Sequence, residues 1–170
     1  MDFKRFINDI YLDEKVIAQM NGIYSQSEVL KLENFIKPEV YRELFSLVKD
    51  IRGDHVKITD RYSYEDLGDL SGVAKLFNSK DFLNFINGLS GEKFFNIDLK
   101  ILGFGHKDYT LLHDSRENKR RIEFLFIFSN EWNKKWGGQV VYTNNKNKTL
   151  IFPVIGNSFI LLDTQDMRKF

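Results

Sequence analysis

Two of the three histidines of the chain, His106 and His113, lie in the short stretch Gly105-His-Lys-Asp-Tyr-Thr-Leu-Leu-His-Asp-Ser115. The same stretch contains carboxylate and hydroxyl side chains, and with imidazole these are the groups that bind metal ions and move protons. The chain has no cysteine, which excludes disulfides, thiolate metal sites and cysteine nucleophiles. It also lacks a glycine-rich phosphate loop, a nucleophilic-serine elbow and a paired-histidine zinc motif. The stretch from 105 to 115 therefore remains as the candidate functional segment.

The composition excludes several classes of protein. Hydrophobic residues make up 42% and charged residues 29% of the 170 residues, which is the composition of a folded domain and excludes disorder. Lys and Arg number 25 against 24 Asp and Glu, so no strong positive field draws the chain to nucleic acid or to a membrane. No apolar run approaches the roughly 18 residues of a membrane span. The acidic start MDFKRFINDIYLDEK and the absence of cysteine predict a cytoplasmic protein.

The first half of the chain is predicted to be mainly helical. Apolar spacing favours a short amphipathic helix over residues 3–12 and a strand over 28–33. Pro38 suits the first turn of a second helix, and Ser79 is the expected N-cap of a third. Residues 54–74 are polar and contain two glycines, so we predict a long loop there, with His55 exposed in it.

The second half is predicted to consist of short strands. Apolar or β-branched runs separated by Gly, Asn, Lys and Asp clusters recur over residues 96–104, 109–113, 121–128, 139–143, 149–154 and 158–163. The run 121–128 is apolar almost throughout, which is typical of a central strand covered on both faces. We therefore predict an α+β fold with a sandwich or jelly-roll barrel. A single domain is expected over 1–170, with helical support in 1–93 and the barrel in 94–170.

Several segments, taken in chain order, resemble the 2-oxoglutarate/Fe(II) dioxygenases, and the prolyl-hydroxylase branch in particular. They are Leu32-Glu-Asn-Phe-Ile-Lys-Pro-Glu, Phe77-Asn-Ser-Lys-Asp-Phe-Leu-Asn-Phe-Ile, Tyr109-Thr-Leu-Leu-His-Asp-Ser, Arg120-Arg-Ile-Glu-Phe-Leu-Phe-Ile-Phe, Trp132…Trp136-Gly-Gly-Gln-Val-Val-Tyr and Ile151-Phe-Pro-Val-Ile-Gly-Asn. The resemblance covers roughly residues 28–165. It implies a double-stranded β-helix barrel supported by N-terminal helices, with Fe(II) and 2-oxoglutarate as cofactors and a protein or peptide as substrate.

The resemblance also implies roles for particular residues. In that family two histidines and one carboxylate hold the iron and leave coordination positions open for 2-oxoglutarate and oxygen. His113 matches the first ligand, and Asp114 is the candidate carboxylate if a bulge or turn brings it to the same face. Tyr109 matches a position that contacts 2-oxoglutarate, and Arg121 is the candidate partner of an anion.

The sequence departs from the family pattern at two of the expected ligands. Ser115 stands at the usual carboxylate position, and the chain has no histidine after His113. Three explanations stay open: the barrel continues beyond residue 170, the barrel has lost its metal, or the metal site is not of the usual kind, with His106-Lys-Asp108 as a second His-x-Asp spacing. The predicted function is accordingly a peptidyl (prolyl) hydroxylase relative, with a catalytically inactive barrel that binds a protein or an anion as the alternative.

Overall fold

The computed structural model describes residues 3–68, 70–111, 113–114, 122–144, 148–164 and 167–169. The helices are α1 Phe3–Phe6, α2 Glu14–Ser27, α3 Pro38–Val48, α4 Ser71–Phe77 and α5 Lys80–Ser90, with 3-10 turns at Asp9–Leu12 and Lys134–Trp136. The strands are β1 Val29–Glu33, β2 Asp54–Ile58, β3 Tyr62–Asp66, β4 Leu102–Gly103, β5 Tyr109–Thr110, β6 His113–Asp114, β7 Ile122–Ile127, β8 Val140–Asn144, β9 Thr149–Phe152, β10 Ser158–Asp163 and β11 Met167–Lys169. No helix among the described residues is long and apolar enough to span a membrane.

The N-terminal segment is two short helical pieces, so the predicted single helix over residues 3–12 is wrong. Ile7 interrupts it, because its backbone forms an isolated antiparallel bridge with Ile36. The bridge ties the chain to the segment before α3 and buries Ile7 completely, whereas Ile10 beyond it is 57% exposed. The following helix, α2, was not predicted, although the Asp13 side chain caps it by accepting hydrogen bonds from two backbone N–H groups.

Two of the predicted helices and five of the predicted strands are observed. Strands β1 and β7 lie within the predictions for 28–33 and 121–128. Helix α3 begins at Pro38, and the Ser79 hydroxyl oxygen caps α5 by accepting a hydrogen bond from the Phe82 N–H at 3.1 Å. Strands β8, β9 and β10 match the predictions for 139–143, 149–154 and 158–163 within one or two residues. The predicted strand over 96–104 is wrong except at β4, because residues 94–101 have no regular structure.

The barrel is built from two sheets. The first has the order β1-β10-β7 and the second the order β6-β11-β8-β9, all in antiparallel pairs. All six residues of β10 are buried, and β10 lies between β1 and β7. The prediction that the strand in 121–128 is central is wrong for the described residues, because β7 pairs there with β10 alone.

Strand β10 separates two hydrophobic clusters, because successive side chains of a strand point to opposite faces. Phe159 and Leu161 pack against the helices, while Ile160 and Leu162 pack in the barrel interior with Tyr142 of β8. Most of the phenylalanines lie on the side of β10 that faces the helices, where their rings contact one another in an extended network. This network attaches the N-terminal helices to the barrel.

A third sheet stands where a long loop was predicted, so that prediction is wrong. Strands β2 and β3 form an antiparallel hairpin, and β3 also pairs with β4 and β5. The hairpin residues are mostly polar, and none of its apolar side chains belongs to either hydrophobic cluster of the described residues. The alternation by which strands are recognised extends there over only two apolar or aromatic positions in each strand.

Candidate functional site

The candidate metal ligands His113 and Asp114 form strand β6 at the edge of the second barrel sheet. His113 pairs with Lys169 of β11, and Lys169 pairs in turn with Tyr142 of β8. His113 and Tyr142 thus occupy one cross-strand row, two strand spacings or about 10 Å apart. Asp114 lies in the next row, with Arg168 and Thr143. The side chains of His113 and Asp114 lie outside what the structure describes, so their role as ligands stays a prediction.

Of the two predicted co-substrate residues, the structure describes Tyr109. Tyr109 lies in β5 opposite Ser63, and its hydroxyl donates a hydrogen bond of 2.5 Å to the backbone carbonyl oxygen of Thr59 in the turn of the β2–β3 hairpin. The hydroxyl thus fastens the hairpin turn to β5. Arg121 and Ser115 lie outside the described residues. The assignment of Tyr109 and Arg121 to the co-substrate stays a prediction.

An acid and a phenol that were not predicted meet inside the barrel. Glu123 of β7 stands opposite Leu162 of β10, whose side chain lies in the interior cluster. The Glu123 carboxylate lies near the hydroxyl of Tyr142, which is only 1% exposed, and the pKa of that hydroxyl is raised first by burial and then by the charge of Glu123. The interior cluster thus holds a carboxylate that reaches the row containing His113.

The sequence carries a signal for Glu123. Strand Ile122–Ile127 contains a single charged residue among five apolar ones. A charge in such a strand is costly unless it has a partner, which marks it as a candidate for a specific contact. The partner is not visible in the sequence, because Tyr142 is nineteen positions away in another sheet.

A second polar cluster joins the hairpin to the loop between β4 and β5. The Ser63 hydroxyl donates a hydrogen bond of 2.5 Å to Asp108 Oδ1, and His55 Nε2 lies 3.1 Å from the same hydroxyl oxygen. Gly105 N–H donates to Asp108 Oδ2 at 2.8 Å, and His55 Nε2 is 3.6 Å from Asp108 Oδ1. Because the serine proton points to the aspartate, this order of groups does not activate Ser63 as a nucleophile. The cluster holds the loop that leads into Tyr109.

Three residues considered in the sequence lie in this cluster or beside it. His55 has an exposed side chain, at 55%, as predicted, but it lies in strand β2 and not in a loop. His106 lies in an exposed turn. Asp108, the acid of the His106-Lys-Asp108 spacing, is turned toward Ser63 and the Gly105 N–H group. Both of its carboxylate oxygens accept hydrogen bonds from these groups.

Asp108→Asn is expected to change how stability depends on pH. The hydrogen bond from Ser63, then that from the Gly105 N–H, lower the pKa of the Asp108 carboxyl below its ordinary value. A lowered folded-state pKa means that the ionised group stabilises the fold above the unfolded pKa, and that this contribution is lost as pH falls through the folded value. We therefore expect the variant to be less stable than the parent at neutral pH, with the difference shrinking below about pH 4.

The measurement is urea unfolding of parent and variant over a series of pH values. Asp50→Asn is the matched control, because the Asp50 side chain is 85% exposed and its one ion-pair contact, with Lys49, is at 4.0 Å. A difference in unfolding free energy between parent and Asp108→Asn that stays constant across the acidic range would contradict the assignment.

Over the described part of the chain, no group of three or more His, Asp or Glu side chains is arranged to hold a metal ion. The side chains of the predicted pair His113 and Asp114 do not belong to that part.

The fold resembles solved prolyl hydroxylases. A prolyl-4-hydroxylase of Pseudomonas putida superimposes with a TM-score of 0.69 at 8% identity, over 90% of this chain and 89% of that one. A prolyl hydroxylase of Trichoplax adhaerens, solved with a peptide of the hypoxia inducible factor oxygen degradation domain, gives 0.63 at 13% identity, over 95% and 84%. No family model matches the sequence, and no curated protein matches it.

The architecture is therefore the double-stranded β-helix of the prolyl hydroxylases, with helices N-terminal to the barrel. The predicted α+β fold and the resemblance read from the sequence segments are confirmed. At 8% and 13% identity the likeness defines the fold of this chain.

Proposed function

We propose that this chain is a 2-oxoglutarate/Fe(II)-dependent dioxygenase-like protein and a relative of the peptidyl (prolyl) hydroxylases. The observation that carries the proposal is the superposition on a prolyl-4-hydroxylase over 90% of the chain. Its support within the chain is the position of His113 in the cross-strand row of the buried Tyr142. The relative from Trichoplax adhaerens is bound to a peptide, which favours a protein or peptide as the substrate here.

The donor types near β6 fit a divalent iron. Histidine and aspartate are the residue types at His113 and Asp114, and Glu123 adds a carboxylate inside the barrel. Nitrogen and oxygen donors of this kind suit Fe(II) with open coordination positions. When bound, Fe(II) and 2-oxoglutarate supply the oxidation of a C–H bond by dioxygen.

In this proposal the side chains of the protein bind and orient the metal and 2-oxoglutarate. His113 and Asp114 hold the metal, and Arg121 binds a carboxylate group of 2-oxoglutarate. Tyr109 binds the co-substrate after its hydroxyl turns away from the Thr59 carbonyl oxygen, to which it donates in the free chain. The apolar side chains around Tyr142, including Leu150 and Leu162, exclude water from the interior of the barrel. Glu123 lies on the interior face of β7, opposite Leu162 and near the Tyr142 hydroxyl.

The proposal is tested by binding of 2-oxoglutarate to the full chain in the presence of Fe(II) without oxygen. We expect binding in the parent and its loss in His113→Ala, because a single imidazole ligand carries a large share of the affinity of a site with few protein ligands. His106→Ala is the matched control, since His106 is exposed in a turn between β4 and β5.

The second candidate is a barrel without catalytic activity that binds a protein or an anion. Its motivation is in the sequence, where Ser115 replaces the expected acid and no histidine follows His113. A parent chain that binds neither Fe(II) nor 2-oxoglutarate would favour this candidate over the hydroxylase.

A further inference from the structure

One face of the sheet formed by β2, β3 and β4 is a partly exposed aromatic and aliphatic surface. The register pairs Ile58 with Tyr62 and Val56 with Tyr64, and side chains of paired residues share a face. We call this surface the aromatic face and define it by Val56, Ile58, Tyr62, Tyr64, Leu102 and Phe104.

The aromatic face is continuous. The rings of Tyr62 and Tyr64 are 5.1 Å apart, and those of Tyr64 and Phe104 are 6.2 Å apart. Ile58 is 44% exposed and Phe104 is 50% exposed. None of its members packs into either hydrophobic cluster of the described residues. Contiguous apolar surface of this kind marks a site of interaction.

Two carboxylates stand at one end of the aromatic face. Asp54 and Asp66 are directly opposite each other in the hairpin, on the same face as Tyr64. Burial, then the neighbouring Tyr62 and then the charge of Asp66 raise the pKa of Tyr64, which places that negative charge close to the ring. Like charges in directly opposite positions destabilise a strand pair. Neither carboxylate forms an ion pair within the described part of the chain.

We propose that the aromatic face with Asp54 and Asp66 docks a polypeptide segment in which Lys or Arg side chains accompany apolar ones. A guanidinium or ammonium group compensates the paired carboxylates and also stacks favourably on tyrosine and phenylalanine rings. The apolar side chains of the segment cover Ile58, Leu102 and Phe104. The negative charge of the face disfavours nucleic acid and anionic membranes as occupants.

The docking surface is separate from the proposed co-substrate position. Tyr109 pairs with Ser63, which belongs to the opposite face of β3. The proposal therefore does not depend on metal binding or on hydroxylation, and it survives or fails independently of the proposed function.

The probe is a fluorescein-labelled peptide GRLGRLGRLG, which contains no proline and so is not a prolyl hydroxylation substrate. We expect it to bind the full chain at least about tenfold more tightly than its charge-inverted counterpart GELGELGELG. Raising the salt concentration is expected to weaken binding, because screening shortens the range of the attraction to about 8 Å at physiological strength.

Two pairs of substitutions locate the site. Tyr64→Ser with Phe104→Ser is expected to weaken binding about tenfold, because aromatic anchors dominate interface energies. Asp54→Asn with Asp66→Asn is expected to weaken binding about fivefold and remove its salt dependence. The second pair also relieves the like-charge contact, so it is expected to raise the urea midpoint of unfolding, which separates lost binding from lost folding.

Matched controls are available on the same chain. Phe95→Ser removes an even more exposed phenylalanine, at 79%, from outside the aromatic face, and Asp50→Asn removes an exposed acid elsewhere. Both are expected to bind like the parent. Equal binding of the two peptides, or no binding, would overturn the proposal. So would a dimer of the parent that Tyr64→Ser with Phe104→Ser dissociates, since the occupant would then be a second copy of this chain.

Discussion

Replacing Phe82 by alanine is expected to destabilise the protein by about 3–5 kcal/mol, which is the usual cost of removing a fully buried phenylalanine. Phe82 has no exposed surface and lies in the first turn of α5. Its ring contacts Phe77 and Phe124 edge-on at 5.0 and 5.2 Å, and Phe159 of β10 at 6.0 Å. It therefore joins a supporting helix to both β7 and β10 of the barrel.

Urea unfolding measures this effect as a lower midpoint with an unchanged slope. Phe95→Ala is the matched control, because the Phe95 side chain is 79% exposed and its change is expected to stay within about 0.5 kcal/mol. Equal destabilisation by the two substitutions would mean that the phenylalanine network does not hold the helices on the barrel.

The second large effect is expected from Gly156→Ala in the turn between β9 and β10. A Cβ atom at position 156 would lie 1.9 Å from the Ser129 carbonyl oxygen and 2.9 Å from the Tyr41 hydroxyl. The backbone must move to relieve this overlap, and overpacking of this kind costs about 1–3 kcal/mol, occasionally more. The neighbouring Asn157 side chain bonds to both the N–H and the carbonyl of Ile36, so the movement disturbs that contact as well.

Gly22→Ala is the control for this substitution. Gly22 lies inside α2, and a Cβ atom there meets no atom within 4 Å. Alanine in a helix interior is better than glycine by about 0.5–1 kcal/mol, so this variant is expected to be more stable than the parent. Thermal or urea unfolding that finds Gly156→Ala as stable as the parent would contradict the close contact with Ser129.

The elements that the sequence predicted well are those with local signals. Helix α3 has Pro38 in its first turn and α5 has a Ser79 cap, and both signals act through the backbone of the helix itself. Strands β8 to β10 combine apolar or β-branched residues with turn residues between them. The order of the quoted segments, which resembles the prolyl hydroxylases, then anticipated how these elements assemble.

The errors arose where structure depends on distant neighbours. The hairpin of β2 and β3 lies outside both hydrophobic clusters, and each of its strands carries only two apolar or aromatic residues, so its strand signal is short. The apolar composition of 121–128 predicted a strand in the middle of a sheet. The position of a strand depends on which strands it pairs with, and in the first sheet β10 lies between β1 and β7. Ile7 leaves its helix because of a bridge to Ile36, twenty-nine residues away.

The roles of the candidate site residues stay predictions, but their placement in the fold is visible. The predicted strand over 109–113 is divided between β5 in the third sheet and β6 at the edge of the second barrel sheet, and the register of β6 brings His113 into the row of Tyr142. The contact of Glu123 with Tyr142 and the cluster of His55, Ser63 and Asp108 each join separate strands or loops. Such contacts form only through the sheet register, which sequence spacing does not contain.

Anaerobic titration of the full chain with Fe(II) and 2-oxoglutarate, followed by visible absorption, tests directly whether this barrel holds a metal at β6. We expect a weak charge-transfer band that is lost in His113→Ala and kept in His106→Ala. A parent chain that gives no band and binds no Fe(II) at saturating concentrations, while remaining folded, would rule out the metal site and favour a barrel that serves only for binding.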